Sequence, residues 1–415
     1  MKPNYSIVVL IFLAFFIISF LTNILGALNP SVSLSYGLND TMAGFLPFSF
    51  FIAYGVMSIP AGFMLEKYGE KKMMAIGFGL ALLASLFFAK IPGFWVFLFS
   101  LFTIGTGMAI LQVVVNPLLR VAGGKENYAF TSVIAQLIFG AASFVSPQVY
   151  SWLVTQIEST DAPKNRFISF ISGMVPLGQT WVSIYWVFAL LSLLMIVLII
   201  ATRFPTVTLQ EDEKVGTKDS YVKLFKDRTV ILFFLGIFAY VGAEQGISYW
   251  MSKFLENYHH IDPDTIGANA VGNFWGLMTL GGIVGLVLLK FLDSKIVLKL
   301  FTSLAIICLA IALLSSANLS LYAFQASGFF LAVMYPIIIS LALNSVEKHH
   351  GAFAGILMSG IMGGAVVQLI IGFISDLSSL KVGMLFNFIA LGYVLSIGFW
   401  AKPLIKNKTI RLKKE

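Results

Sequence analysis

Apolar runs of about twenty residues recur along the whole 415-residue chain, and each is long enough to cross roughly 30 Å of hydrocarbon as a helix. Twelve such runs lie near 6–33, 41–66, 71–90, 93–120, 127–154, 181–203, 229–255, 264–290, 296–315, 318–346, 350–375 and 382–402. Hydrophobic residues make up 58% of the chain and charged residues only 11%, a balance that no water-soluble surface of this size tolerates. Inside a bilayer every backbone N–H and C=O must find a partner within the protein, which leaves helices or a closed barrel. The runs are too continuous for the apolar-polar alternation of barrel strands. The expected fold is an all-α membrane protein of twelve transmembrane helices. The first run follows Lys2 and is too long for the apolar core of a secretory signal, so it counts as a retained span.

Lys and Arg distribute unevenly around these spans. With a cytoplasmic N-terminus, only Lys90, Lys164, Arg166, Lys253 and Lys381 of the 27 basic residues fall on the outer side. That bias predicts a multi-pass protein of the cytoplasmic (inner) membrane with both termini in the cytoplasm. The net charge of +8 is then mostly topology and calls for no nucleic-acid partner. The longest polar interruption, 205–228, reads as a cytoplasmic linker with a short amphipathic helix around Tyr221 to Phe225. It separates an N-terminal six-helix bundle, 1–204, from a C-terminal one, 229–403, followed by a basic cytoplasmic tail, 404–415. Paired features 223 positions apart, such as Gly140 with Gly363 and Ala142 with Ala365, favour a diverged repeat. So do Asn116-Pro117 in span four and Tyr335-Pro336 in span ten. Two pseudo-symmetric bundles of this kind form a transporter design with the substrate between the halves near mid-membrane.

Glu244 is the most informative single residue. It stands within the apolar run Ile231 to Met251, where a charge costs about 2.5–3.5 kcal/mol on insertion scales. Intramembrane acids face polar cavities and mark transport pathways, or else they find a basic partner. Carboxyl groups removed from water hold their protons to higher pH, which makes a protonation cycle physically available. Glu244 is therefore the candidate ion-coupling residue, binding H+ or helping to bind Na+. Amides in other spans extend the polar lining: Asn23, Gln112, Asn116, Gln136, Asn273, Gln325 and Gln368, while Tyr240 and Trp250 of the same run and Trp275 of span eight offer flat apolar faces for a sugar ring to stack upon. Gln112 and Asn116 are four apart, so a helix places both on one face. Pro117 frees a backbone carbonyl one turn back for Asn116 or a ligand. Interhelical packing is the competing role for these amides, and lipid-facing or packed positions the competing role for the aromatics.

Cys308 is the single cysteine, and the pairs His259-His260 and His349-His350 fall at loop positions, so neither a disulfide nor a metal site is expected. No loop or span gathers a nucleophile, a base and an orienting group, so enzyme activity and cofactors are not expected.

Between spans two and three, the stretch Pro60 to Lys72 resembles the cytoplasmic signature of the major facilitator superfamily. Within it Gly62 permits close helix contact, Gly69 a tight turn, and Glu66 an ion pair at the inner gate; Lys67 and Lys71 supply the basic positions. Four further stretches resemble the fucose and glucose/galactose porter branch, the sugar:cation symporters of that superfamily. They are Ile110 to Pro117, Tyr240 to Glu244, Ala135-Gln136 with Phe144 to Pro147, and Gly363 to Val367. The resemblance implies a secondary active transporter of a hexose-type sugar working by alternating access, coupled to H+ or Na+, as a functional monomer. Two departures mark a divergent member. Fucose-type symporters carry acids in spans one and four, where this chain has Gly26 and Gln112, and the latter tilts the expectation toward the glucose/galactose type. In span eight an arginine of the family is replaced by Gly282. The rivals are an uncoupled facilitator or exporter of another small polar solute, and a non-transporting sensor, which would carry a signalling extension beyond the short tail after Lys402.

Overall fold

The computed structural model describes residues 4–124, 128–159, 165–204, 218–346 and 348–404. No strand occurs among the described residues. Twelve helical spans do, each matching an apolar run of the sequence: Tyr5–Tyr36, Asp40–Tyr68, Glu70–Lys90, Phe94–Gly123, Thr131–Glu158, Thr180–Ala201, Arg228–His259, Pro263–Phe291, Ser294–Leu314, Ala317–Leu343, His350–Leu377 and Leu380–Trp400. They are numbered here as spans one to twelve.

Four of the spans are interrupted, and proline accounts for part of this. Span ten splits into Ala317–Leu331 and Met334–Leu343, just ahead of Pro336, whose missing N–H cannot serve as the regular helical donor to the carbonyl of Ala332. Span four runs unbroken through Pro117, so the two Pro-containing stretches that look alike in sequence are not alike in shape. Span one breaks between Tyr5–Thr22 and Leu25–Tyr36, with Asn23 at the joint and Pro30 further on. Span eleven passes through a tight turn at Gly360–Met362, and span twelve is interrupted at Leu385.

Within the first six spans, two packs on four, three on four and six, and one on four and five; within the last six, eight and nine pack on ten, and seven on eleven and twelve. Gly105 sets one of these crossings, since a Cβ there would lie 2.2 Å from the carbonyl oxygen of Phe50. Between the two sets, span two meets eleven, five meets eight, and one meets seven. The backbone of Asn4 donates to Ala122 O and that of Leu404 to Asn344 O, which places both ends of the described chain on one face, the terminal face. The opposite side is the far face.

The expected linker helix is present at Lys218–Lys226. Tyr221 and Leu224 are buried, Val222 and Phe225 are exposed, and the Tyr221 ring lies 6.3 Å from that of Phe63 in span two. The rest of the linker, 205–217, and nearly all of the basic tail, 405–415, lie outside the described residues. The loop histidines serve as helix ends: His260 closes span seven at φ 53° and His349 opens span eleven at φ 64°.

Candidate functional site

Glu244 sits half-buried on span seven with two of its neighbours on the same helix nearly sealed. One turn earlier, Tyr240 is buried and donates its phenol O–H to Glu244 Oε1 at 2.5 Å, a pairing that the four-residue spacing of the helix provides directly. The Tyr240 ring lies 5.9 Å from that of Tyr335 in span ten, and the Tyr335 hydroxyl donates to Met358 Sδ of span eleven at 3.2 Å. Sequence reasoning placed Tyr335 only as a repeat marker. A tyrosine beside a proline carries no period or charge signal that would single it out. Among the described residues no salt bridge to Glu244 is formed, so a hydroxyl rather than an arginine answers this carboxylate.

The other expected site residues separate into two groups. Asn23, at the joint of span one, is buried and donates to Ser143 Oγ of span five at 2.8 Å, while Ser19 Oγ reaches Phe139 O of the same span at 2.5 Å. Gln368 is fully buried, accepts from Trp250 Nε1 at 3.0 Å and donates to Gly242 O at 3.2 Å. Both amides tie spans together in this conformation. Trp250 is equally sealed, so its ring faces are not open to a sugar here. Asn273 donates to Gln325 Oε1 at 3.3 Å and joins spans eight and ten; Trp275 is buried beside Phe274 with its indole N–H unpartnered.

Gln112, Asn116 and Gln136 form the second group. Gln112 is half-buried, and Asn116 and Gln136 are exposed. Asn116 reaches the carbonyl of Gln112 at a long 3.5 Å, not the Val113 carbonyl that Pro117 frees. Among the described residues no hydrogen bond links this pair to Glu244.

Gly26 explains one departure noted in the sequence. A Cβ on it would lie 2.2 Å from Ser248 O, because spans one and seven cross there backbone to backbone. An acid at this position has no room in this conformation. Gly282, by contrast, borders open space. At the terminal face Gly62 is buried, Gly69 takes φ 76°, and Lys71 Nζ donates to Ile200 O and Thr202 O at 2.9 and 2.8 Å, binding the start of span three to the end of span six. Lys67 lies over the Tyr68 ring and, like Glu66, is exposed. Over the site at the far face, Tyr249 donates to Ala43 O at 2.6 Å and Asn29 to Tyr249 O at 3.2 Å, drawing spans one, two and seven together. Among the described residues no cluster of three metal-ligating side chains occurs.

The Major Facilitator Superfamily model matches residues 11–367. The chain belongs to that superfamily. It is a membrane transporter rather than an enzyme. A glucose/galactose transporter of Brucella abortus is 29% identical over 398 residues, covering 93% of this chain and 92% of that protein. The L-fucose-proton symporter of Escherichia coli is 25% identical over 386 residues, 87% of this chain and 85% of that one. Among solved structures, the outward conformation of FucP superposes with a TM-score of 0.68 at 21% identity, covering 95% of this transporter and 98% of FucP. A bacterial homologue of the lysosomal transporter Spinster reaches 0.73 at 14% identity, over 97% of each chain. These superpositions carry the fold.

Proposed function

We propose that the transporter moves a hexose-type sugar across the cytoplasmic membrane by alternating access, as a monomer, with Glu244 coupling its movement to H+ or Na+. The observation that carries this reading is the Tyr240–Glu244 pair beside Tyr335, a carboxylate with a hydroxyl partner half-open at a junction of spans seven and ten. A carboxylate answered by a single hydroxyl and, among the described residues, no basic side chain suits both a polyhydroxylated ligand and a proton or cation that comes and goes, because no fixed positive charge locks it in place. The likeness to a glucose/galactose transporter and to an L-fucose-proton symporter points to the same substrate class. The halves are assigned to 1–204 and 229–403, with the terminal face in the cytoplasm as the basic residues favour. On that assignment the far face is the outer one, and Gln112, Asn116 and Gln136 are reached from the cytoplasm, completing the sugar site as span four and span five swing toward span seven.

Counterflow in proteoliposomes tests the substrate: glucose, galactose, mannose, fucose and N-acetylglucosamine, with and without Na+ and across pH. Exchange of at least one hexose is expected, and exchange of none removes the reading. Glu244→Gln should keep counterflow and lose accumulation against a gradient. Undiminished accumulation by that variant would remove Glu244 from the coupling step, whereas a parent protein that exchanges hexose but never accumulates it favours the second reading, an uncoupled facilitator, in keeping with the glycine that fills the crossing at Gly26.

A further inference from the structure

The far face holds a cluster that the sugar reading does not use. Span two begins at Asp40, and the first backbone N–H groups of a helix have no partner within it. Its own Asn39 side chain accepts only from Met42 N, at 2.8 Å. The N–H groups of Asp40 and Thr41 are instead taken by Asp376, one from each carboxylate oxygen, both at 2.9 Å. Asp376 belongs to span eleven, 336 residues further along, so the cap of one helix is supplied by the other half of the molecule. The adjacent Ser375 hydroxyl donates to the Asp40 carboxylate. Asp40 Oδ1 also pairs with Lys253 Nζ of span seven at 2.6 Å, and the same ammonium reaches Ser33 Oγ of span one at 3.3 Å. Two carboxylates and one mostly buried ammonium thus join spans one, two, seven and eleven at a single point, directly above the Tyr249–Ala43 contact.

We propose that this interlocking cap is the outer gate of the transporter: Asp376 capping span two in trans and Lys253 neutralising Asp40 hold the far face shut. Every one of its contacts, the Ser33 tether from Lys253 included, runs between elements of opposite halves. Moving span two away from span eleven therefore breaks the ion pair and uncaps the helix in one motion. A charged cap is strong when its partners are in register and worth little once water reaches them, which gives the gate two discrete positions. The inference goes beyond the sugar reading and does not depend on which solute is carried.

Ala43 lies fully buried in the first turn of span two, one turn from the cap, and serves as the reporter. In the full chain with Cys308→Ser, an Ala43→Cys site is labelled with a membrane-impermeant maleimide. Labelling is expected to be slow in the parent, at least tenfold faster with Lys253→Met or Asp376→Ala, and slow again in the charge-swapped double variant Asp40→Lys with Lys253→Asp. Equal rates across parent and single variants overturn the proposal. Spin-label distances between Leu34→Cys and Leu377→Cys, both exposed at the far face, provide a second measurement in the same Cys308→Ser protein. A longer population should grow in the single variants, and an unchanged distribution also overturns it. Neither readout needs sugar, so loss of the gate and loss of the hexose reading are told apart.

Discussion

Asn387 shows how much one side chain can matter at the residue scale. It is fully buried in span twelve, its amide lies against Gly246 of span seven, and neither its oxygen nor its nitrogen has a hydrogen-bond partner among the described residues. A buried polar group without a partner costs about 1–3 kcal/mol. Asn387→Leu, similar in volume, should raise the thermal unfolding midpoint followed by tryptophan fluorescence; a lowered midpoint would reveal a water bound to the amide. Gly26 works in the opposite sense. Gly26→Ala pushes a methyl into the backbone of Ser248, and an overpacked crossing costs about 1–3 kcal/mol, so the same measurement should show a fall. Glu244 was legible in sequence as an acid in an apolar run. Its tyrosine partner was legible as a neighbour, but the hydrogen bond depends on a side-chain rotamer that no pattern encodes.

At the element scale, the linker helix Lys218–Lys226 buries Tyr221 and Leu224 and sets the Tyr221 ring 6.3 Å from that of Phe63 in span two. Burial pushes the Tyr221 phenol up to about 12, and its hydroxyl has no hydrogen-bond partner among the described residues. The docked helix holds the proton more tightly than the free one does, so its docking is unaffected below the ordinary tyrosine range near pH 10 and weakens as pH rises from there toward 12. Hydrogen exchange over 218–226 should therefore accelerate across that window, and Tyr221→Phe should remove this part of the acceleration. Lys71 is a second clasp of this scale. Lys71→Ala removes two hydrogen bonds to the last carbonyls of span six, about 1 kcal/mol each, and should increase exchange at the end of that span. Apolar period and length made all twelve spans visible in advance. The breaks in spans one, ten, eleven and twelve were not, since Pro117 and Pro336 read alike while only the second lies at a break; neighbouring helices decide whether a freed carbonyl is tolerated.

For the whole molecule, two sets of six spans meet along spans two with eleven, five with eight, and one with seven, and they are pinned at the far face. A sugar that binds this folded protein stabilises it by mass action, about 1.4 kcal/mol at ten times its Kd. The hexose that supports counterflow should raise the midpoint accordingly, and a non-exchanged sugar should leave it unmoved. The twelve-helix plan follows from sequence alone, because bilayer thickness fixes the length of an apolar run and the absence of water forces it into a helix, while the superfamily was legible only through the resemblance of stretches such as Pro60 to Lys72. Which amides line a path and which are spent as braces is a different matter. Asn23 and Gln368 look like Gln112 and Asn116 in the chain, yet the first two are consumed by Ser143, Trp250 and Gly242. Likewise nothing in the order of residues announces that Asp376 caps a helix begun 336 positions earlier. Those assignments belong to the tertiary structure, since a polar group inside a membrane takes its role from whichever donor or acceptor the packed helices bring within 3 Å.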